Sequence, residues 1–315
     1  MHARGTCDAE QHAMTTRSIS LAILLTACTA TRSFEGLGGS GPNDIWLVGA
    51  STPAESASSM PIAFHWDGSS WSSREDVPAG GLSGVWCSSP NDVWFAGEST
   101  LRWNGEWTNL GDLEYTRAVW GDGAGATWAV GLGGRTIQFD ASGMRTTPTT
   151  PTSEPLFGVW GSAAFDVWAV GLKGTVLHWQ GTSWTASSIP VTTSSLNAIA
   201  GNASNDVWAV GDSGTIAHWD GATWTSMPSG TMASLEGVWA NGADDIWAVG
   251  GHDIGHTFGV VLHYDGSAWS EKYRGDSQLN TIWGTSNADV WAAGSDLAVV
   301  HWNGTEWTST ELSPP

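Results

Sequence analysis

The chain has 315 residues, enough for one large all-β domain or two ordinary ones. Only 13% of its residues are charged, 41% are hydrophobic and 23 are Trp, which excludes a disordered chain, because disorder needs few aromatics and dense charge. A net charge of −20 with only 11 Lys and Arg excludes binders of phosphate backbones, so neither nucleic acid nor an anionic lipid surface is an expected partner, and the acidity serves solubility.

The first 28 residues read as an address. Met14 opens a stretch with one basic residue, Arg17, followed by the apolar run Ile19–Leu25, which is too short to span a bilayer. Leu25-Thr26-Ala27-Cys28 resembles the bacterial lipobox, in which the Cys receives lipid after cleavage. Asp8 and Glu10 are foreign to a signal's basic start, so Met14 is the expected initiator. The expectation is an exported bacterial lipoprotein of the cell envelope, held to the membrane through Cys28 alone. Of Cys7, Cys28 and Cys87, only Cys87 would then stay free, so no disulfide framework exists.

From about Ser33 to Leu312 one phrase recurs seven times. "DVWAVG" carries its Trp at 46, 94, 128, 168, 208, 247 and 291, and "HWDG" follows each copy, beginning at His65, Arg102, Gln138, His178, His218, His263 and His301. Repeats of this period signal a solenoid or a propeller. The 23 Trp fall into four columns, typified in the fourth copy by Trp160, Trp168, Trp179 and Trp184.

Each copy holds four short runs rich in Val, Ile, Thr and Trp, separated by turn residues. In the fifth they are "LNAIAG", "DVWAVG", "TIAHWD" and "TWTSMP", with tight hairpins marked by "SG" before Thr215 and by Asp220-Gly221. The expected fold is all-β: a seven-bladed β-propeller of four-stranded antiparallel blades over residues 33–315. No strand exchange between the termini is expected, so the first and last blades should meet by side-chain packing alone. The tryptophans fill the widening wedge between blades, each burying roughly 150–250 Å². Gly84, Gly158 and Gly237 fit the crowded axis.

The order "L…VWG…DVWAVG…G…HWDG…W" resembles the tectonin-type repeat, and the resemblance covers all seven copies. It implies a propeller and, for function, a lectin. The "DGxxW" turn also resembles a shortened sialidase-type Asp-box, lacking the residue between Asp and Gly, which would imply a glycoside hydrolase.

Several residues are candidates for chemistry. Asp44, Asp92, Asp166, Asp206, Asp245 and Asp289 form a column broken by Thr127, and the expected role is an Asx-turn cap on the first hairpin of each blade. The His column is expected to be satisfied between blades. The outer column, Trp71, Trp269 and Trp307 among it, either packs blades or offers sugar-stacking platforms. Blades 1 and 6 carry the long second-to-third-strand loops, Ser51–Pro61 and His252–Phe258, on one rim beside Ser295–Ala298 of blade 7. Loops on a rigid scaffold carry function, so His252, Asp253 and His256 are ligand-binding candidates. No metal or cofactor is expected.

An enzyme needs a constellation that is missing here: no "GxSxG", zinc motif or P-loop occurs. Of Tyr115, Tyr264 and Tyr273, the second occupies a scaffold Trp position. The expectation is a non-enzymatic binding propeller for a glycan or another envelope or extracellular molecule. The alternatives are a protein-interaction scaffold and, behind it, a sialidase-like hydrolase.

Overall fold

A computed structural model describes residues 30–53, 58–78, 80–111, 115–187 and 193–312. Seven antiparallel sheets of four strands lie in sequence order, each made from one contiguous stretch. The blades occupy 31–73, 82–111, 116–146, 156–187, 196–227, 234–275 and 279–309. Within each, the strands run inner, second, third and outer, as "LNAIAG"-like, "DVWAVG"-like, "HW"-like and final segments. The fold is the propeller that the repeats imply, without strand exchange.

The second strands explain why the pattern is not a simple alternation. Val167 to Gly171 and Val207 to Gly211 are buried at every position. A sheet covered on both faces by neighbouring blades reads as a continuous apolar run. The hydrophobic clusters accordingly straddle blade boundaries: Trp168 and Val170 of blade 4 share one with Leu196, Val207 and Trp224 of blade 5.

At the axis the inner strands nearly touch. A β-carbon on Gly36 would stand 2.7 Å from Gly84 Cα, and one on Gly158 would stand 3.1 Å from Ala198 Cα. Only small side chains let seven backbones converge there. On the rim facing the other way from the "DG" turns, the second and third strands of blades 4 and 5 are joined by two-residue turns with consecutive positive φ, at Lys173-Gly174 and Ser213-Gly214. This is the mirror-image hairpin turn whose twist matches the strands it joins.

The seam between blades 7 and 1 is more than side-chain packing. The inner strand of blade 1, Thr31–Gly41, starts well before its hydrophobic anchor Phe34 and runs beside the blade 7 turn. Ser33 bridges Ser295, Asp296 N donates to Arg32 O at 3.0 Å, and Asn280 Nδ2 donates to Phe34 O at 3.0 Å. Phe34, Leu37 and Phe64 join Trp291 and Val299 in one cluster across it.

Candidate functional site

The repeated polar columns belong to the scaffold. In six blades the inner strand carries a bulge just before the first turn, and the bulged residue is Ser40, Ser88, Ser162, Asn202, Asn241 or Thr285. A bulge re-aims one side chain, and here it aims a donor at Oδ2 of the second-strand Asp. Oδ1 of the same Asp is taken by the third-strand His of the same blade, at 2.6–2.8 Å in five blades. In three blades the second-strand indole N–H also donates to it, as Trp208 does to Asp206 at 2.8 Å. The imidazole lies on that indole: His178 stacks on Trp168 with centroids 3.8 Å apart and planes 6° from parallel.

Two expectations are thereby corrected. The Asp column does not cap the first turn, because both oxygens are engaged across the blade. The His column is satisfied within its own blade, not between blades, because the antiparallel register sets His178 opposite Trp168. Blade 2 uses Arg102 in place of His, 2.6 Å from Asp92 and over Trp94. Blade 3, with Thr127 in the Asp position, has no bulge there; Asp122 instead caps the turn through the N–H groups of Ala124, Gly125 and Ala126. The turn-capping Asp of the repeat is the one in "HWDG". Asp67 and Asp265 each accept from a Ser hydroxyl and two backbone N–H groups, which hold both carboxyls down at about 2. For Asp44, burial raises the pKa, but the hydrogen bonds of His65 and Ser40 outweigh it and leave it below the usual range.

The outer tryptophans grip the neighbouring blade. Trp71 meets Trp291 edge to face at 5.6 Å, Trp269 meets Trp208 at 5.7 Å, and Trp307 meets Trp247 at 5.7 Å. The indole nitrogens of Trp71, Trp269 and Trp307 are buried. These three rings sit at the third-to-fourth-strand turns. His252, Asp253 and His256 sit at the opposite ends of their strands, on an extended blade 6 hairpin whose tip residue, Ile254, is fully exposed. The two sets of candidates therefore stand on opposite rims and do not form one site. Asp253 and His256 pair at 3.5 Å with the imidazole in solvent. Residues 54–57 of the blade 1 loop, Met14 and Cys28 lie outside the described residues.

What converges is a column that the repeats do not conserve. The second residue of each inner strand motif is Glu35, Ser83, Arg117, Phe157, Asn197, Glu236 or Asn280. The seven side chains ring one mouth of the axial channel, together with Asp212 from the blade 5 turn, around a cavity of about 630 Å³. Asn197 Nδ2 donates to Asp212 Oδ1 and to Leu235 O, both at 3.1 Å. Ser83 Oγ donates to Thr116 O. Arg117 lies 5.7 Å from the Phe157 ring and forms no ion pair with either Glu.

The electrostatics of this mouth set it apart. Burial pushes the Glu236 carboxyl up to about 7, helped by the negative charges of Asp212 and Glu35 and opposed by Arg117. Glu35 is open to channel water but enclosed by protein. That partial desolvation raises its carboxyl, against the Ser33 hydrogen bond and the charge of Arg117. Sequence reading missed this ring; the available signal was a fixed column that holds five residue types in seven copies. Exposed apolar side chains favour the same rim: Met60, Tyr115, Leu132, Met232 and Ile254 all stand on its turns and connectors, against Met144 and Phe165 on the other.

No protein-family model and no curated protein matches the chain. Solved structures do. The chain is similar to "YCF48 bound to D1 peptide" at 16% identity, covering 87% of this chain and 94% of that one, with a TM-score of 0.65. It is similar to the WD40 β-propeller domain of Doa1 at 13% identity, covering 85% and 92%, TM-score 0.65. It is similar to Chaetomium thermophilum Sqt1 bound to the N-terminus of ribosomal protein L10 at 11% identity, covering 88% and 86%, TM-score 0.60. These likenesses show the fold: a seven-bladed propeller structurally like the WD40 type.

Proposed function

We propose that this chain is a non-enzymatic binding propeller of the cell envelope that takes a peptide segment of a protein partner at the channel-mouth rim. The observation that carries the reading is the contrast between columns. The repeated Asp and His side chains bond one another inside their blades, whereas the seven side chains of the varied column, from Glu35 to Asn280, face one cavity. Function written on a repeat scaffold belongs where the repeat is broken. The apolar residues on that rim supply the contact area a protein partner needs. The structural relatives named above with peptide or protein-terminus ligands agree with it.

A glycan ligand is the second reading, and it rests on the tectonin-type resemblance. The outer rings it would use are engaged in the interblade wedge. Envelope anchoring through Cys28 belongs to the same proposal and rests on the lipobox resemblance. The experiment is selection of a displayed random peptide library on the full chain, in parallel with a glycan array. Recovery of a peptide consensus whose binding is lost in Phe157→Ala or Asn280→Ala supports the reading. A glycan signal with no peptide consensus replaces it with the lectin reading, and fluorogenic glycosides test hydrolysis separately.

A further inference from the structure

Resting on that reading, we infer that the bound segment is basic: an ammonium or guanidinium group enters the axial mouth and pairs with Glu236 and Glu35. Three carboxylates, Glu35, Asp212 and Glu236, converge on the cavity from blades 1, 5 and 6, against a single cation, Arg117. Arg117 is drawn aside over Phe157 and pairs with neither Glu. Asp212 is held by Asn197 and Ser234, so its charge is fixed in place. Glu236 has no hydrogen-bond partner among the described residues, and it is half-buried with its carboxylate facing the cavity.

A carboxylate withdrawn from water without a partner is costly, and an entering cation removes that cost. The elevated pKa of Glu236 reports the same shortage of positive charge. The whole chain agrees, since a net charge of −20 steers basic segments toward it. A metal ion fits less well, because among the described residues no three His, Cys, Asp or Glu side chains come together as metal donors. The apolar rim residues Met232 and Leu132 would flank the segment on its way in. The groups facing Glu236 are Asp212, Glu35 and Arg117, so ionisation of Glu236 is what the incoming cation favours.

The test uses peptides recovered from the random library on the full chain. The expected consensus has Lys or Arg at one fixed position, or a required free N-terminus. Replacing that Lys or Arg by norleucine should weaken binding by about tenfold or more. Acetylation of the N-terminus should do so only where the α-amine is the cation, which separates the two sources. Glu236→Gln and Glu35→Gln should each weaken binding by a similar factor, whereas Arg117→Lys should preserve it. Affinity should fall steeply between about 50 and about 500 mM salt. Two glutamate variants are used so that misfolding of one, read by its melting curve, leaves the other decisive. A consensus lacking a cation, or norleucine and both Gln variants binding within twofold, overturns the inference while leaving the peptide reading intact. A library that yields no consensus overturns both.

Discussion

Trp283 of the last blade lies on Gly39 of the first, where a β-carbon would stand 2.8 Å from the indole. The same relationship links Trp86 to Gly121, Trp120 to Gly161, Trp160 to Gly201 and Trp239 to Gly284, at 2.5–2.8 Å. Each inner-strand Trp is seated on the inner-strand Gly of the following blade. Where the Trp is missing, the Gly is missing as well: Gly38 precedes Cys87, and Ala200 precedes Ala240. The chain therefore carries a seven-membered internal record of one steric rule. It also explains why the half-buried Cys87 is tolerated at that position, where burial and the charges of Asp44 and Asp92 raise its thiol pKa.

The rule predicts a coupling. Gly161→Ala should destabilise by about 1–3 kcal/mol, because the methyl meets the Trp120 ring. In a Trp120→Ala background the same change should cost markedly less, although Trp120→Ala is itself destabilising. Denaturant melts of the four proteins give the interaction energy. Equal penalties in both backgrounds would show that only the nearby Asp166 carbonyl matters.

The Asp-centred networks predict a second effect. Asp206→Ala strands the donors of Trp208 and Asn202 and leaves His218 without its partner. The expected loss is about 2–4 kcal/mol, whereas Asn202→Ala, which removes one exposed donor, should cost about 1 kcal/mol or less. Chemical denaturation orders the two, and similar small losses would mean that the network is ornamental.

Titration gives a third. Glu236 has a folded pKa of about 7, above its unfolded value of 4.5, so its contribution to stability is complete below 4.5 and is lost as pH rises through 7. Glu236→Gln should therefore stabilise the protein by about 1–2 kcal/mol at pH 8, with channel water reducing the full effect, and should change little at pH 4. Asp67 and Asp265 act in the opposite sense: their lowered pKa values give stability that is present above 3.8 and lost as pH falls toward 2. Thermal melts across pH 2–9 should show both limbs, and a flat difference between wild type and Glu236→Gln would contradict the first.

A fourth prediction concerns the blade 6 hairpin. Replacing residues 252–257 by a two-residue turn like Ser213-Gly214 removes Ile254, His252, Asp253 and His256 while leaving the buried Gly251 and the core-packed Phe258 in place. The melting temperature should stay within a few degrees, and peptide binding should weaken. Unchanged binding would place the partner on the channel mouth without this hairpin.

The address predicts a fifth. Cys28→Ser should move the protein from the membrane fraction to the soluble fraction. Unchanged fractionation would remove the anchor.

The architecture was legible because repetition multiplies a weak signal: four short strands recur seven times with Trp in fixed columns. The roles of Asp166 and His178 were not, because they lie 12 residues apart and meet only through a third-strand register and a bulge at Ser162. The chemistry runs across columns, from bulge to second strand to third strand. The channel mouth was hidden for a further reason. Glu35, Arg117 and Glu236 come from blades 1, 3 and 6, and nothing in linear order says that their side chains share one cavity. Only closure of the circle brings them together.

Blade 1 is fastened to blade 7 by the same Trp-on-Gly seat that fastens five of the seven junctions, and the segment around Leu312 borders the cavity that also touches Arg32. The sequence's first and last blades are thus joined by the common seat and, in addition, by the Asp296–Arg32 backbone hydrogen bond. A circularly permuted chain, cut at the exposed Met232 connector and spliced from Leu312 to Thr31, would meet no topological obstacle to the same closed fold.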